Sequence, residues 1–351
     1  MKAYIKLLAT MALVIVTAAC NGGQKLPETR PVVRLMTHDS FDMSADLLAA
    51  FEEETGIQVQ VFKAGDGGEM VNKAILSKDA PLADVIYGVD NTFLSRALEN
   101  DIFIPYKSPL LSDIDDELKV DEEFRVSPVD YGDICLNYDV DWFSGQNLAP
   151  PDNLSDLADP AYGGLTVVEN AATSTPGLGF LLATIDAYGE DGYLDYWRQL
   201  VTNDVLVVDG WEQAYYSHFT ASSEGDRPIV VSYASSPVAE VYYAEEPPVE
   251  APTASVTSEG ACFRQIEFAG ILRGTQVVEE AQQVVDFLLG TAFQEDIPLK
   301  MFVYPANNTA RLPEVFQQYG QVSAAPAQMD PQLIAANRER WIQAWTEVVL
   351  R

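Results

Sequence analysis

Strand-length apolar runs alternating with helical patterns predict an α/β protein of two lobes. Each lobe is expected to be a mixed, mainly parallel sheet flanked by helices. Three observations carry this expectation. From residue 32 to residue 91 the order is strand, helix, strand, helix, strand, which points to parallel pairing through crossover helices. Each of those strands is followed by a polar turn, at 38–41, 65–68 and 90–91. Two long strand patterns far apart in sequence, 129–138 and 262–272, read as hinge strands joining the lobes into a clamshell. A length of 351 residues suits two such units.

Taken in order, 32–37 is an apolar run ending at His38-Asp39-Ser40. The next pattern puts Leu47, Leu48 and Phe51 on one helical face and stops at Gly56, which tolerates a left-handed cap. Ile57, Val59 and Val61 alternate as a strand. Gly65-Asp66-Gly67-Gly68 opens a second helix through Met70, Val71, Ala74 and Ile75, and 83–87 reads as a buried strand. An acidic linker (113–123) leads to the first hinge strand. Beyond it come strand 165–169, a turn into a helix at 172–179, helix 193–201, strand 205–208, helix 210–219 and strand 228–233. Thr175 is expected as a helix cap, with Pro176 at the first helical position. The acidic, Pro-rich 245–252 reads as an exposed loop, 277–289 as a helix and about 331–350 as a final helix. The expected division is 32–128 for lobe 1, 129–260 for lobe 2, 261–310 for the return to lobe 1, and 311–351 for C-terminal helices packing on lobe 2. We find no internal repeat.

Met1-Lys2-Ala3-Tyr4-Ile5-Lys6 is followed by an apolar run at 7–19 and then Cys20, the pattern of an export signal over 1–19. The run is shorter than the roughly 20 residues that span a bilayer. Thr17-Ala18-Ala19-Cys20 resembles a bacterial lipobox. That resemblance implies lipidation of Cys20, a polar tether over 20–31, and an extracytoplasmic protein anchored to the membrane. Cleavage after Ala19 by an ordinary signal peptidase, without lipid, is the alternative. Cys135 and Cys262 remain, and in an oxidising compartment an even pair suggests a disulfide. The alternative is two separate buried thiols.

Hydrophobic residues make up 48% of the chain, enough for a sizeable core. Asp plus Glu number 53 against 21 Lys plus Arg, a net charge of -32. A field of that sign repels phosphate backbones and excludes nucleic-acid binding. The only histidines are His38 and His218, and there is no HExxH, Walker loop, GxSxG or CxxC pattern. Adjacent tyrosines occur at Tyr215-Tyr216 and Tyr242-Tyr243. Neighbouring phenolates serve ferric-ion binders, but adjacent residues in regular structure usually face different ways and pack. The chemistry therefore favours a binder with no cofactor and no resident metal over an enzyme.

Several segments occur together in order: Thr37-His38-Asp39-Ser40-Phe41, Gly88-Val89-Asp90-Asn91, Thr173-Ser174-Thr175-Pro176-Gly177-Leu178-Gly179, Asp209-Gly210-Trp211-Glu212-Gln213-Ala214-Tyr215, Ser232-Tyr233-Ala234-Ser235-Ser236-Pro237 and Tyr304-Pro305. From about Val33 onward the chain resembles the thiamine-binding proteins that serve bacterial ABC importers. The resemblance implies a monomeric receptor of the type II periplasmic-binding-protein fold. Its lobes would close on thiamine or a thiamine phosphate and deliver it to an ABC transporter permease. Carried over by position, contacts come from His38, Asp66, Gly67, Asp90, Ser174, Trp211, Tyr233 and Phe302. Asn91, Tyr215, Ser235 and Tyr304 belong to the same motifs. His38 stands where that family has a tyrosine and Phe302 where it has a tryptophan, and the stretch after Phe41 is shortened and lacks an expected tryptophan.

These residue types suit that ligand, which joins a flat aminopyrimidine to a permanently cationic thiazolium. Trp211, Tyr233 and Phe302 offer aromatic faces, over which a cation gains about 0.5–2 kcal/mol. Asp39, Asp66 or Asp90 can balance the charge, and Ser174, the helix start behind it and the Gly67-Gly68 turn can hold an anionic tail. The alternatives are structural: Trp211 and Tyr233 as packing, Asp39 and Asp90 as helix caps, Ser174 as a turn former. Two other functions compete. One is a type I thiaminase-like enzyme with Cys135 as nucleophile and Glu267 or Glu240 as base. The other is a receptor for a polyamine, sulfate or ferric ion.

Overall fold

The computed structural model describes residues 30–246, 248–327 and 329–351. The export signal, Cys20 and nearly all of the tether lie outside the described residues. The chain runs β1 (Val32–Thr37), α1 (Ala45–Thr55), β2 (Gln58–Lys63), α2 (Gly67–Leu76), β3 (Val85–Asp90), α3 (Leu94–Glu99) and β4 (Phe103–Ile104). It continues through β5 (Ser127–Asp139), α4 (Val140–Ser144), β6 (Thr166–Glu169), α5 (Thr175–Thr202), β7 (Leu206–Val208), α6 (Trp211–Gln213) and β8 (Ile229–Tyr233). It closes with α7 (Ser236–Tyr243), β9 (Thr253–Val256), β10 (Phe263–Leu272), α8 (Val278–Leu289), α9 (Thr291–Lys300), β11 (Tyr304–Pro305), α10 (Glu314–Tyr319) and α11 (Pro331–Val349).

One mixed sheet runs β2-β1-β3-β10-β5-β8-β6-β7, with β4, β9 and β11 added to its middle strands. In the first half β1 pairs β2 and β3 in parallel. In the second half β6 pairs β7 and β8 in parallel. The halves meet through antiparallel pairs only: β3 with β10, β10 with β5, and β5 with β8. Parallel strands need crossover helices, and those helices cover the sheet, which is why β3 and β6 are buried at every position.

Several expected boundaries move. The strand expected at 83–87 extends to Asp90, so Asp90 is a strand residue rather than part of a turn. The helix after β6 is capped by Ser174, not Thr175: Ser174 is extended (φ −121°, ψ 134°) and its carbonyl already accepts the first helical bond from Leu178. That helix and the one expected at 193–201 form a single α5, interrupted at Gly189 by a left-handed backbone (φ 69°). The helix expected at 210–219 is one α-turn followed by a π-turn at Ala214–His218. Helix α9, absent from the expected elements, carries Pro298 inside it, near its C-terminal end. The final helix packs on α5, through buried Trp341 and Trp345, and also on α3. Arg338 fixes it there by donating to the Thr92 carbonyl at 3.0 Å.

Cys135 on β5 and Cys262 just before β10 are joined in a disulfide, both fully buried. The bridge closes a loop with a sequence separation of 127, and loop-closure entropy puts its contribution at about 4 kcal/mol. The double variant Cys135→Ala/Cys262→Ala should therefore lose roughly 4 kcal/mol in denaturant unfolding; a loss under about 1 kcal/mol would show that the native state gains little from the bridge.

Candidate functional site

The carboxyl ends of parallel strands are where open α/β sheets gather ligands. Here β1 ends next to His38 and Asp39, β2 leads to the Asp66-Gly67 turn, β7 leads to Trp211, and β8 ends at Tyr233. With Phe302, from the turn between α9 and β11, all of these line one cavity of about 620 Å³, within the usual range for small-molecule sites. One side is aromatic: Trp211, Tyr215, Tyr216, Tyr233, Tyr243 and Phe302. Trp211 is stacked on Tyr215, with ring centres 5.1 Å apart, and its indole N–H donates to Ser232 Oγ at 2.8 Å. Tyr233 lies flat against β5 because residue 132 is glycine; a Cβ there would stand 3.0 Å from the ring. Gly88 does the same for His38: its backbone is left-handed (φ 99°), and a Cβ would overlap the imidazole.

The floor is acidic and comes from the two hinge strands. Asp130 on β5 and Glu267 on β10 are directly opposite in the antiparallel register, and both line the cavity. Glu267 Oε2 is 3.3 Å from His38 Nε2, and Oε1 accepts from Gln265 Nε2 at 3.0 Å. Gln265 in turn accepts the Tyr233 hydroxyl at 2.7 Å. Asp130 accepts the buried Tyr87 hydroxyl. Burial, and then the charge of Glu267, push the Asp130 carboxyl well above the usual carboxylate range. Burial also raises Asp66, although the Gly67 N–H and His38 oppose it. Burial alone would lower His38, but the charge and hydrogen bond of Glu267 outweigh it, and the imidazole is raised. Against these carboxyls the lining holds His38 and Lys300, and Lys300 is 3.4 Å from Asp42.

Of the residues singled out from sequence, the structure brings His38, Asp39, Asp66, Gly67, Trp211, Tyr215, Tyr233 and Phe302 to the cavity. Asp39 also clasps the next turn, its Oδ1 accepting from Gly65 N at 3.0 Å. Five others are not in its lining. Asp90 is buried beneath it and accepts from Thr92 and Phe93, capping the chain after β3. Asn91 donates to the Arg264 carbonyl and accepts from Ile266 N, tying β3 to β10. Ser174 is buried at the cap of α5, behind Thr175 and Pro176, which do line the cavity. Ser235 donates to the Phe302 carbonyl, and Tyr304 donates to the Gln321 carbonyl while stacking on Tyr131. Asp130, Gln265 and Gly132 were missed, and Glu267 was singled out only as a base for the enzyme reading. Deeper in, at the end of β6, Glu169 is buried with no hydrogen-bond partner on either oxygen, and burial raises it well above the usual carboxylate range.

A mixed sheet whose parallel halves are joined by two antiparallel strands, with a cavity over those strands, defines a solute-binding protein. Residues 80–320 match the family of bacterial extracellular solute-binding proteins, and the chain belongs to it. It is 29% identical over 328 residues to the thiamine-binding periplasmic protein of Escherichia coli K12, covering 92% of this chain and 94% of that one. The solved structure of a periplasmic thiamin binding protein superimposes with a TM-score of 0.78 at 26% identity, over 92% of this chain and 98% of that one. Iron-bound HitA from Pseudomonas aeruginosa gives 0.74 at 17% identity, over 91% and 99%, a likeness of fold alone.

Asp90 provides a direct check on the electrostatics below the cavity. Burial, reinforced by Glu267, raises its carboxyl to about 6, against the bonds from Thr92 and Thr175. Because the folded pKa is raised, ionising this group costs stability progressively between its ordinary 3.8 and about 6. Carboxyl carbon-13 titration should show one resonance with a midpoint near 6 that is missing from Asp90→Asn; a titration in the ordinary carboxylate range would refute the environment described.

Proposed function

We propose that the protein is an extracytoplasmic receptor that binds thiamine and delivers it to an ABC-type membrane permease, with no reaction of its own. The observation that carries this reading is an aromatic wall facing a floor of desolvated carboxyls at the joining strands. Such a site suits a flat heterocycle with a permanent positive charge: the rings stack and pair with the cation, and Glu267 and Asp66 supply the opposite charge. The thiamine-binding relatives support the same reading over nearly the whole chain. In this reading the sheet halves are the lobes, and binding closes them over the ligand.

The competing readings fare worse. Cys135 is fully buried and bonded to Cys262, so it offers no thiolate for attack on a pyrimidine. The Tyr215 hydroxyl donates to Glu240 at 2.9 Å, and the Tyr216 ring stands at 74° to the Tyr215 ring, so the pair does not present two phenolates to one ion.

Calorimetric titration with thiamine is expected to give one site per chain. Trp211→Ala and Tyr233→Ala should each weaken it by about tenfold or more; unchanged affinity in both would discard the cavity as the site. The thiazolium of thiamine is permanently cationic, whereas Asp90 loses its negative charge as pH falls through about 6, and Asp66 and His38 are both shifted toward their protonated forms. Affinity should therefore drop from pH 7.5 to pH 5.5; a rise over that interval would mean that the carboxyls are not the counter-charge.

A further inference from the structure

Asp130 and Glu267 are an unusual pair for the middle of a sheet. Directly opposed residues on antiparallel strands hold their Cβ atoms about 4.5–5.5 Å apart, and like charges there are destabilising. Asp130 is only 1% exposed, and Glu267 beside it is mostly buried and lines the cavity. Two carboxyls in such a position avoid holding two charges at once.

The polar contacts of the two differ. Both Glu267 oxygens face donors, the His38 imidazole and the Gln265 amide. Asp130 has a single donor, the Tyr87 hydroxyl on Oδ2, which leaves Oδ1 as the place for a proton. The other groups around the pair are Asp66 at the start of α2, Asp90 at the end of β3, and the Tyr233 hydroxyl from β8, which is turned to Gln265. None of them supplies a cation to Asp130. Met301 packs on the far side of Tyr87, its sulfur 3.8 Å from the hydroxyl. The strong upward displacement of the Asp130 carboxyl agrees with this division of roles.

We propose that Asp130 presents a neutral carboxyl O–H to the cavity and donates it to a ring nitrogen of the ligand, while Glu267 beside it is the fixed negative charge. The part about the ligand rests on the thiamine reading, since an aminopyrimidine offers both an accepting ring nitrogen and a donating amino group. Asp130 then selects a heterocycle with a basic nitrogen, a distinction that aromatic walls and a net negative field do not make. A simple quaternary amine would satisfy the walls and the field but leave this buried donor unpaired.

Two variants and two measurements test this. An asparagine amide keeps the donor on one side and the acceptor for Tyr87 on the other, so Asp130→Asn imitates a neutral acid and not a carboxylate. Thiamine titration should place Asp130→Asn within about threefold of the native protein and Asp130→Ala about tenfold or more weaker. A tenfold loss in Asp130→Asn would mean that the charge is what matters, and native-like binding by Asp130→Ala would mean that the group is not read at all. Thermal unfolding without ligand tests the protonation state independently. A group kept neutral in the fold takes up a proton on folding, so native stability should fall relative to Asp130→Asn as pH rises from about 4 to about 7. A flat or reversed difference would overturn the assignment. If the native protein fails to bind thiamine at all, the proposed ligand falls, while the unfolding comparison still decides the state of Asp130.

Discussion

Two carboxyls face each other across the antiparallel strands that join the halves of the sheet, and much of the surrounding structure follows from keeping them there. A desolvated acid is costly unless it is neutralised or given hydrogen bonds. The chain gives Glu267 both His38 and Gln265, and gives Asp130 Tyr87. Those supports have supports of their own. His38 needs Gly88 to vacate its space, Gln265 is held by Tyr233, and Tyr233 needs Gly132 beneath its ring. Residues from β3, β5, β8 and β10 and from the turn after β1 are thereby committed to one polar floor.

Much of the architecture was legible in the sequence because helix and strand periods are local. Gly56 stopped α1 where expected, with a left-handed φ of 73°. The turns after β1 and β2, and Trp211 after β7, reached the cavity because a strand end is a position that sequence order alone implies. The floor was not legible in this way. An acid inside an alternating strand reads as the solvent-facing residue of that strand, and only the register of β5 against β10 turns Asp130 and Glu267 inward toward each other. Gly132 looked like an ordinary strand glycine for the same reason.

The residues that lie outside the cavity lining also have a physical pattern. Asn91, Ser235 and Tyr304 stand within motifs at strand ends, so their position suggested contact with a ligand. Each instead bonds backbone groups, Asn91 through its amide, Ser235 through its hydroxyl and Tyr304 through its phenol, a demand that competes with ligand contact. Asp90 shows the same competition, its oxygen taken by the amides that follow β3. Trp211, Tyr215 and Tyr233, whose polar atoms donate to other side chains, and Phe302 line the cavity.

The joining strands are not uniform along their length. At one end β5 and β10 are tied by the Cys135–Cys262 disulfide and by the Arg264–Asp133 ion pair, which is bidentate and has a buried carboxylate. Next along comes the Asp130–Glu267 pair. Beyond Glu267 the register slips, against β5 between Glu267 and Phe268 and against β3 between Phe268 and Ala269. Bulges of this kind break the ladder locally and let strands bend. The pairing of β5 with β10 is thus cross-linked at one end and locally broken at the slip, one residue from Glu267. Under the proposed reading, a ligand that engages Glu267 would sit one residue from the slip, so that the group that recognises it adjoins the place where the strands bend most readily.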